Sequence, residues 1–139
     1  MTEKTILIVE DTDDDVFFLK RALKDSGIHH PHSVVVDGQQ ALDYFQGKGE
    51  YANRAKYPIP FLVLLDLKLP YVMGLEVLKW IREQPEYNST LIVVLTSSQQ
   101  NSDMEETFRL GGNAYLIKPP TRDKLLEMIE NLRDKWLFE

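Results

Sequence analysis

Five short runs of consecutive apolar residues constrain the fold of this chain more than any other feature of its sequence. Most are rich in Val, Ile and Leu, and they are spread over the whole chain: Ile6–Val9, Val34–Val36, Phe61–Leu65, Leu91–Leu95 and Ala114–Ile117. Continuous apolar runs of this length are typical of strands that are buried on both faces, as in a parallel sheet. We therefore predict five buried strands.

Segments with helical spacing lie between the apolar runs. The first has one apolar stripe, formed by Val16, Phe18, Leu19, Ala22 and Leu23. Thr12 is a candidate N-cap for this helix, and the acidic residues Asp13–Asp15 suit the positive end of the helix dipole. A second, shorter helix is predicted over residues 38–46.

The remaining three helices are indicated by apolar spacing or by their caps. Apolar residues define the third helix, which ends near Pro85, and the inner face of the fifth: Leu75, Leu78 and Ile81, then Leu125, Met128, Ile129 and Leu132. The fourth begins at a capping-box pair, Ser102 and Glu105, and ends at Gly111–Gly112. Thr121 is the candidate N-cap of the fifth.

Strands that alternate with helices predict an α/β fold, a doubly wound five-stranded parallel sheet with right-handed crossovers. No internal repeat or interdomain linker is visible, so we expect residues 1–139 to form one domain. Its core spans about residues 4–134 and its C-terminal tail residues 135–139. The longest irregular stretch, residues 47–60, is expected to be a surface excursion, with a partner-contacting loop as the alternative.

Charge and residue content exclude several classes of protein. The formal net charge is -6 at pH 7 and no block of Lys and Arg occurs, which argues against a nucleic-acid-binding surface. The chain has no cysteine, which excludes disulfides, thiolate metal sites and a cysteine nucleophile. No apolar run approaches the ~20 residues of a membrane span, and the N-terminus lacks the pattern of a signal peptide. We therefore expect a cytoplasmic protein.

Polar residues of complementary chemistry stand at the ends of four of the five runs. Glu10 and Asp11 follow the first run, Asp66 the third, Thr96 the fourth and Lys118 the fifth. Ligands of open parallel sheets bind at the carboxyl ends of the strands. A strand order of 2-1-3-4-5 brings the three acids together, and close carboxylates stay ionised when a hard cation such as Mg²⁺ binds them. Thr96 and Lys118 supply the hydroxyl and the positive charge that a bound phosphoryl group requires.

On these residues the chain resembles the receiver domains of two-component response regulators. The matching motifs are Ile6–Asp11, Leu64–Pro70 with Gly74, Val94–Ser97 and Ala114–Pro119. They cover nearly the whole chain in the order and spacing of the family. The stretch from Asp37 to Tyr51 is similar to stand-alone regulators that are paired with phytochrome-type sensor kinases. The resemblance implies a flavodoxin-like (βα)5 fold.

The resemblance also implies a phosphoacceptor and a metal site. Asp66 is the phosphoacceptor, and Mg²⁺ is held by Asp66, by Asp11 directly, by Glu10 through a water and by the backbone carbonyl of Lys68. This chain departs from many receivers at Lys68, where they have Asn, and at Met73, where they have Asp. A lysine at this position can pair with a carboxylate and weaken Mg²⁺ binding, and it can also screen the phosphoryl group from water.

The remaining roles implied by the resemblance belong to residues around the phosphoryl group. Thr96 and Ser97 bind its oxygens, Lys118 pairs with them, Tyr115 occupies the aromatic switch position, and the bond before Pro119 is cis. The implied protein is not an enzyme beyond self-catalysed phosphotransfer and autodephosphorylation. It accepts a phosphoryl group from a sensor histidine kinase, phytochrome-like or hybrid. It signals through the face of the fourth helix, fifth strand and fifth helix, either to a downstream protein or to a histidine phosphotransfer protein.

Other interpretations stay open at this stage. An aspartate-nucleophile phosphatase would resemble D-x-D after the first strand, whereas Asp66 follows the third and has Lys68 two residues on. An interaction module that works without phosphorylation would not need the complete site. The apolar tail Trp136–Phe138 either folds back onto the domain or contacts a second copy in a symmetric homodimer. The histidines within residues 29–32 are expected to lie in a solvated turn and not to bind a metal.

Overall fold

Strands and helices alternate along the chain as the apolar runs predict. The computed structural model describes residues 4–118 and 120–138, with their side chains except those of residues 129 and 133–138. The strands are β1 (Ile6–Val9), β2 (His32–Val35), β3 (Leu62–Asp66), β4 (Leu91–Thr96) and β5 (Ala114–Ile117). The α-helices are α1 (Asp13–Asp25), α2 (Gly38–Gln46), α3 (Gly74–Arg82), α4 (Asn101–Arg109) and α5 (Arg122–Phe138). Short 3₁₀ helices at Gly49–Ala52 and Pro85–Tyr87 precede β3 and β4.

The five strands form one parallel sheet in the order β2-β1-β3-β4-β5, which is the predicted order. The three central strands are buried along their whole length, because helices cover both faces of the sheet. The edge strands β2 and β5 are buried only in part. The doubly wound α/β fold predicted from the sequence is confirmed.

The second strand begins two residues earlier than predicted. The ladder pairs Ile6 with His32 and Val9 with Val35, and the N–H of Glu10 donates to the carbonyl of Val35. Val36 lies beyond the last pair and is 44% exposed. An edge strand is fixed by its single neighbour more than by its own apolar content, so the polar residues before Val34 join the sheet.

Alternation along the strands divides the core into two layers. Ile6 and Ile8 of β1 belong to the layer that contains the buried residues of α1 and α5, whereas Leu7 and Val9 belong to the layer of α2 and α3. Each large apolar side chain that is fully buried contributes about 1.5–3 kcal/mol. The two layers therefore hold the strand ends in fixed positions relative to one another.

Helix starts follow the predictions only in part. The Thr121 hydroxyl accepts a hydrogen bond from a backbone N–H in the first turn of α5, as predicted. Thr12 is the N-cap of α1, but its side chain makes no capping bond. Ser102 lies inside α4, whose N-cap is Gln100, so the predicted capping box is wrong. Phe18, placed in the apolar stripe of α1, is 40% exposed.

Residues 47–60 pack against α2. The guanidinium of Arg54 donates to the carbonyls of Tyr44 at 2.7 Å and Phe45 at 2.8 Å. The rings of Tyr51 and Tyr57 lie with their centroids 5.1 Å and 5.9 Å from that of Tyr44. The segment is a surface excursion, as expected, and it is attached to the fold by aromatic contacts and by one arginine.

Two expectations from the sequence fall outside the part of the chain described here. One is the cis bond before Pro119. The other is the role of the Trp136–Phe138 side chains, which were expected either to fold back onto the domain or to form a homodimer contact. Within the described ranges, none of the helices combines the length and the apolar content that a membrane crossing requires.

Candidate functional site

Three carboxylates from two neighbouring strand ends meet at the carboxyl edge of the sheet. Glu10 and Asp11 follow β1, and Asp66 is the last residue of the adjacent strand β3. One oxygen of each carboxylate lies within 4.8 Å of the others. Glu10 and Asp66 are buried, at 2% and 7% exposure, whereas Asp11 is exposed. We call these three residues the acidic cluster; the strand order inferred from the sequence predicts it.

Burial of its carboxylates favours the binding of a cation by the acidic cluster. It raises the pKa of Glu10 to about 7, and the negative charge of Asp66 adds to the increase, although a hydrogen bond from Lys118 opposes it. A raised carboxyl pKa means that ionisation costs free energy in the site as it stands. Two buried carboxylates and an exposed one, which is open to water, form a hard oxygen donor set that fits Mg²⁺ or a similar divalent ion.

Lys118, directly after β5, inserts its ammonium group among the acids. Its Nζ donates to Glu10 Oε2 at 2.6 Å, to Asp15 Oδ2 at 3.0 Å and to Asp66 Oδ2 at 3.0 Å. Burial lowers the pKa of Lys118, but the three hydrogen-bonded carboxylates outweigh burial and hold the pKa above its ordinary value. The backbone N–H of Lys118 also donates to the carbonyl of Thr96 at 2.8 Å, which fixes the end of β5 next to β4.

The two carboxylate oxygens of Asp66 have different partners. Oδ2 accepts from Lys118, and Oδ1 accepts from the backbone N–H of Lys68 at 3.2 Å. The side chain of Lys68 is exposed, and within the part of the chain that is described its ammonium forms no ion pair with the acidic cluster. Of the two effects considered for this lysine, pairing with a carboxylate is therefore absent from this structure.

The loop after β3 is held by close backbone packing. A Cβ on Gly74 would lie 2.2 Å from the carbonyl oxygen of Asp66, and one on Gly38 would lie 2.0 Å from the carbonyl oxygen of Val72. Only glycine fits at either position without a backbone shift. In the loop between Asp66 and Gly74, Tyr71 has a left-handed φ of 66° and is 89% exposed. These contacts fix the loop that carries Lys68 beside Asp66.

A chain of hydrogen bonds links Thr96 to α4 and β5. Thr96 is fully buried, and its Oγ1 accepts from the N–H of Ser98 at 3.2 Å. The Tyr115 hydroxyl donates to the Ser98 carbonyl at 2.9 Å, and the Ser98 hydroxyl donates to Asp103 Oδ2 at 2.5 Å. Ser97, which the sequence interpretation places with Thr96, has an exposed side chain.

Three residues that lie in the site, or in the hydrogen-bonded chain from Thr96, are not predicted from the sequence. They are Asp15, Ser98 and Asp103. The interpretation assigns Asp15 to helix initiation, yet its carboxylate reaches Lys118. The sequence does contain a signal for this contact. One acid is enough to interact with the helix dipole, and this helix begins with three. Ser98 and Asp103 carried no comparable signal, because their pairing depends on where α4 begins.

Comparisons with known proteins agree with this geometry. Residues 6–130 match the family described as the response regulator receiver domain. Response regulator Rcp1 from Synechocystis sp. (strain PCC 6803) is 37% identical over 134 residues, which cover 96% of this chain and 89% of Rcp1. The crystal structure of its Mn²⁺-bound form has a TM-score of 0.80 and covers 97% of this chain and 95% of that one.

Two further similar solved structures are phytochrome response regulators. The phosphorylated cyanobacterial phytochrome response regulator RcpA is 34% identical with a TM-score of 0.81, covering 99% of this chain and 96% of its own. The bacteriophytochrome response regulator RtBRR is 41% identical with a TM-score of 0.84, covering 94% of this chain and 78% of its own.

The chain belongs to the response regulator receiver domain family of two-component signalling. Within that family it is similar in sequence and in structure to a cyanobacterial phytochrome response regulator and a bacteriophytochrome response regulator. The flavodoxin-like fold and the likeness to phytochrome-associated regulators, both inferred from sequence motifs, are confirmed. The protein is accordingly a signalling protein, and its acidic cluster occupies the carboxyl edge where ligands of such sheets bind.

Proposed function

We propose that Asp66 accepts a phosphoryl group from a sensor histidine kinase with Mg²⁺ bound, and that the protein signals through the face formed by α4, β5 and α5. One observation carries the proposal: a buried Asp66 carboxylate lies 3.0 Å from the ammonium of Lys118 and within 4.8 Å of two further acids. This combination of nucleophilic oxygen, cation and metal-type donors is what phosphoryl transfer needs.

The transfer step is an in-line displacement at phosphorus. An Asp66 oxygen forms the new O–P bond while the P–N bond of a phosphohistidine breaks. The electron pair of that bond returns to the imidazole nitrogen, which takes up a proton from water. Asp11, Asp66 and the carbonyl of Lys68, with Glu10 through a water, would hold Mg²⁺, which would neutralise the negative charge of the transferring phosphoryl group. The product is an aspartyl phosphate.

The side chains around Asp66 stabilise that product. Lys118, kept charged by its carboxylate partners, pairs with a phosphoryl oxygen, and the hydroxyl of Thr96 donates to another. Ser97, directly after β4, is the further phosphoryl-binding residue in this proposal. In this proposal the exposed side chain of Lys68 screens the phosphoryl group from water and slows the self-catalysed loss of phosphate.

The signal leaves the site along the hydrogen-bonded chain from Thr96. When Thr96 Oγ1 turns to the phosphoryl group it leaves the N–H of Ser98, and the neighbouring Tyr115 hydroxyl loses its carbonyl partner. Tyr115 then moves inward and the face of α4, β5 and α5 changes shape. This is a two-state equilibrium that the phosphoryl group shifts.

The partners follow from the relatives and from the surface. The similarity to phytochrome response regulators supports a phytochrome-like or hybrid kinase as the phosphodonor. A downstream protein or a histidine phosphotransfer protein receives the signal. The alternative receiver is a second copy of this chain, in a homodimer formed through the α4–β5–α5 face and the tail Trp136–Phe138. We place the protein in the cytoplasm as a single receiver domain.

Labelling of Asp66 tests the proposal directly. The wild-type protein, incubated with Mg²⁺ and ³²P-acetyl phosphate, should become labelled in an acid-stable, base-labile form. Asp66→Asn should show no label, because the nucleophilic oxygen is gone. Asp25→Asn removes the same charge from an exposed side chain in the last turn of α1 and should label like the wild type. Equal labelling of Asp66→Asn and wild type would remove Asp66 as the phosphoacceptor.

A further inference from the structure

The ammonium of Lys118 has no free donor in this structure. It carries three N–H groups, and they are directed at three carboxylates, those of Glu10, Asp15 and Asp66. Its side chain is only 14% exposed. A phosphoryl group on Asp66 that pairs with Lys118 therefore competes for the ammonium with the carboxylates that already hold it.

Asp15 differs from the other two acceptors in its surroundings. Its side chain is 43% exposed, against 2% for Glu10 and 8% for Asp66. It comes from the first turn of α1 and lies outside the acidic cluster. Its carboxylate can exchange Lys118 for water at little cost, whereas Glu10 is shielded from water and Asp66 carries the phosphoryl group.

On the basis of the proposed function, we infer that Asp15 is a positioning residue that competes with the phosphoryl group for Lys118. In the unphosphorylated protein it holds the ammonium beside Asp66 by the third of three hydrogen bonds. When the phosphoryl group arrives, the Lys118 N–H that Asp15 accepts turns to a phosphoryl oxygen, and the Asp15 carboxylate turns to solvent. The negative charge that remains in the first turn of α1 opposes the phosphoryl dianion, so Asp15 lowers the stability of the phosphorylated state.

Removing the Asp15 carboxylate should strengthen binding at the phosphoryl position, whereas removing a residue that only supports Lys118 would weaken it. Asp15→Asn weakens the competing hydrogen bond and removes one negative charge near the phosphoryl oxygens. Glu10 and Asp66 still hold Lys118 in place. We expect the variant to bind the phosphoryl analogue beryllofluoride about two- to fivefold more tightly with Mg²⁺ present, the range of a partly exposed charge pair. After labelling by acetyl phosphate, its dephosphorylation half-time should lengthen by a similar factor.

The neighbouring Asp13 provides the matched control. It lies in the same first turn of α1, is exposed, and makes no bond to Lys118. Asp13→Asn therefore makes the same change in net charge without releasing Lys118 and should leave beryllofluoride affinity within about 1.5-fold of wild type. Asp15→Glu, which keeps a competing carboxylate, should return affinity close to the wild-type value.

The affinities are measured by ¹⁹F NMR titration of full-length protein with beryllofluoride and Mg²⁺, and unfolding by urea checks that each variant is folded. Tighter binding in Asp15→Asn alone supports competition. Equal or weaker binding in Asp15→Asn, or the same gain in Asp13→Asn, overturns it. If the wild-type protein itself does not bind beryllofluoride, the failure lies in the proposed phosphoacceptor function and the inference falls with it.

Discussion

At the scale of single residues, the charge balance of the site depends on Lys118. Its ammonium is the only cation that contacts the acidic cluster in the described part of the chain, and two of its three acceptors are buried. Burial raises the pKa of Glu10 to about 7 even with this partner, so the Glu10 carboxylate depends on a nearby cation to stay ionised. Removing the lysine leaves buried carboxylates that repel each other, a cost that a divalent ion should offset.

Lys118→Ala should therefore destabilise the protein most when no metal is bound. We expect the free energy of unfolding in EDTA to fall by about 2 kcal/mol, below the cost of breaking a fully buried pair because Asp15 is partly exposed. Millimolar Mg²⁺ should recover much of the loss, because the cation replaces the ammonium. Urea unfolding with EDTA or Mg²⁺ measures both effects.

Lys68→Ala is the control, because it removes an exposed lysine next to Asp66 that holds no cluster carboxylate in the described structure. It should change the unfolding free energy by less than about 0.5 kcal/mol. If Lys118→Ala were as stable as Lys68→Ala in EDTA, the lysine would not be needed to balance the cluster.

Which of these residues could be predicted from the sequence depends on how each reaches the site. Glu10, Asp66, Thr96 and Lys118 stand at strand ends, and parallel strands bring their carboxyl ends to one edge whatever the side-chain conformations are. Asp15 comes from a helix, and its contact with Lys118 depends on the rotation of α1 and on side-chain reach. Neither quantity can be obtained from the pattern of residues.

At the scale of elements, the two ends of α4 are held by different means. Beyond its C-terminal end, Arg82 of α3 donates to the carbonyl of Gly111 at 2.9 Å and to the side chain of Asn113 at 2.9 Å. At its N-terminal end, the Ser98 hydroxyl bonds the Asp103 carboxylate and accepts from the N–H of Gln100. A change that begins at Thr96 therefore reaches α4 through Ser98.

Ser98→Ala should loosen this connection while the sheet remains intact. The variant loses the bond to Asp103, and we expect the free energy of unfolding to fall by about 1 kcal/mol. Ser97→Ala, which truncates an exposed hydroxyl one residue earlier, should change it by less than about 0.3 kcal/mol. Urea denaturation followed by circular dichroism measures both. Equal stability of the two variants would mean that the Ser98–Asp103 bond does not hold α4.

Elements were predicted well where burial decides them and less well where local bonds do. The central strands are apolar along their whole length and agree with the sequence within a residue. β2 takes its range from pairing with β1, and α4 has Gln100 as its N-cap, with the Ser98–Asp103 hydrogen bond across its start, in place of the predicted capping box. Both depend on contacts with other elements, which a local pattern does not contain.

At the scale of the whole molecule, the surface combines a net charge of -6 with exposed apolar side chains on the proposed output face. Met104 and Phe108 of α4 and Ile117 of β5 are 38%, 49% and 38% exposed. Large apolar side chains on one face favour contact with another protein surface. The net charge opposes self-association at low salt, because like-charged copies repel each other.

Beryllofluoride with Mg²⁺ should therefore shift the protein from monomer towards a symmetric dimer through this face, and more strongly as salt concentration rises. Phe108→Glu should weaken the dimer at least about tenfold, because it buries a charge where a ring had packed. Phe17→Glu makes the same change on α1, where the ring is 66% exposed on a helix that is not part of the α4–β5–α5 face, and should leave association unchanged. Sedimentation velocity across a concentration series measures all three proteins. Should the activated wild type remain monomeric at every concentration and salt, the output face must act on a different protein, and the apolar side chains of α4 and β5 then mark the surface on which that partner binds.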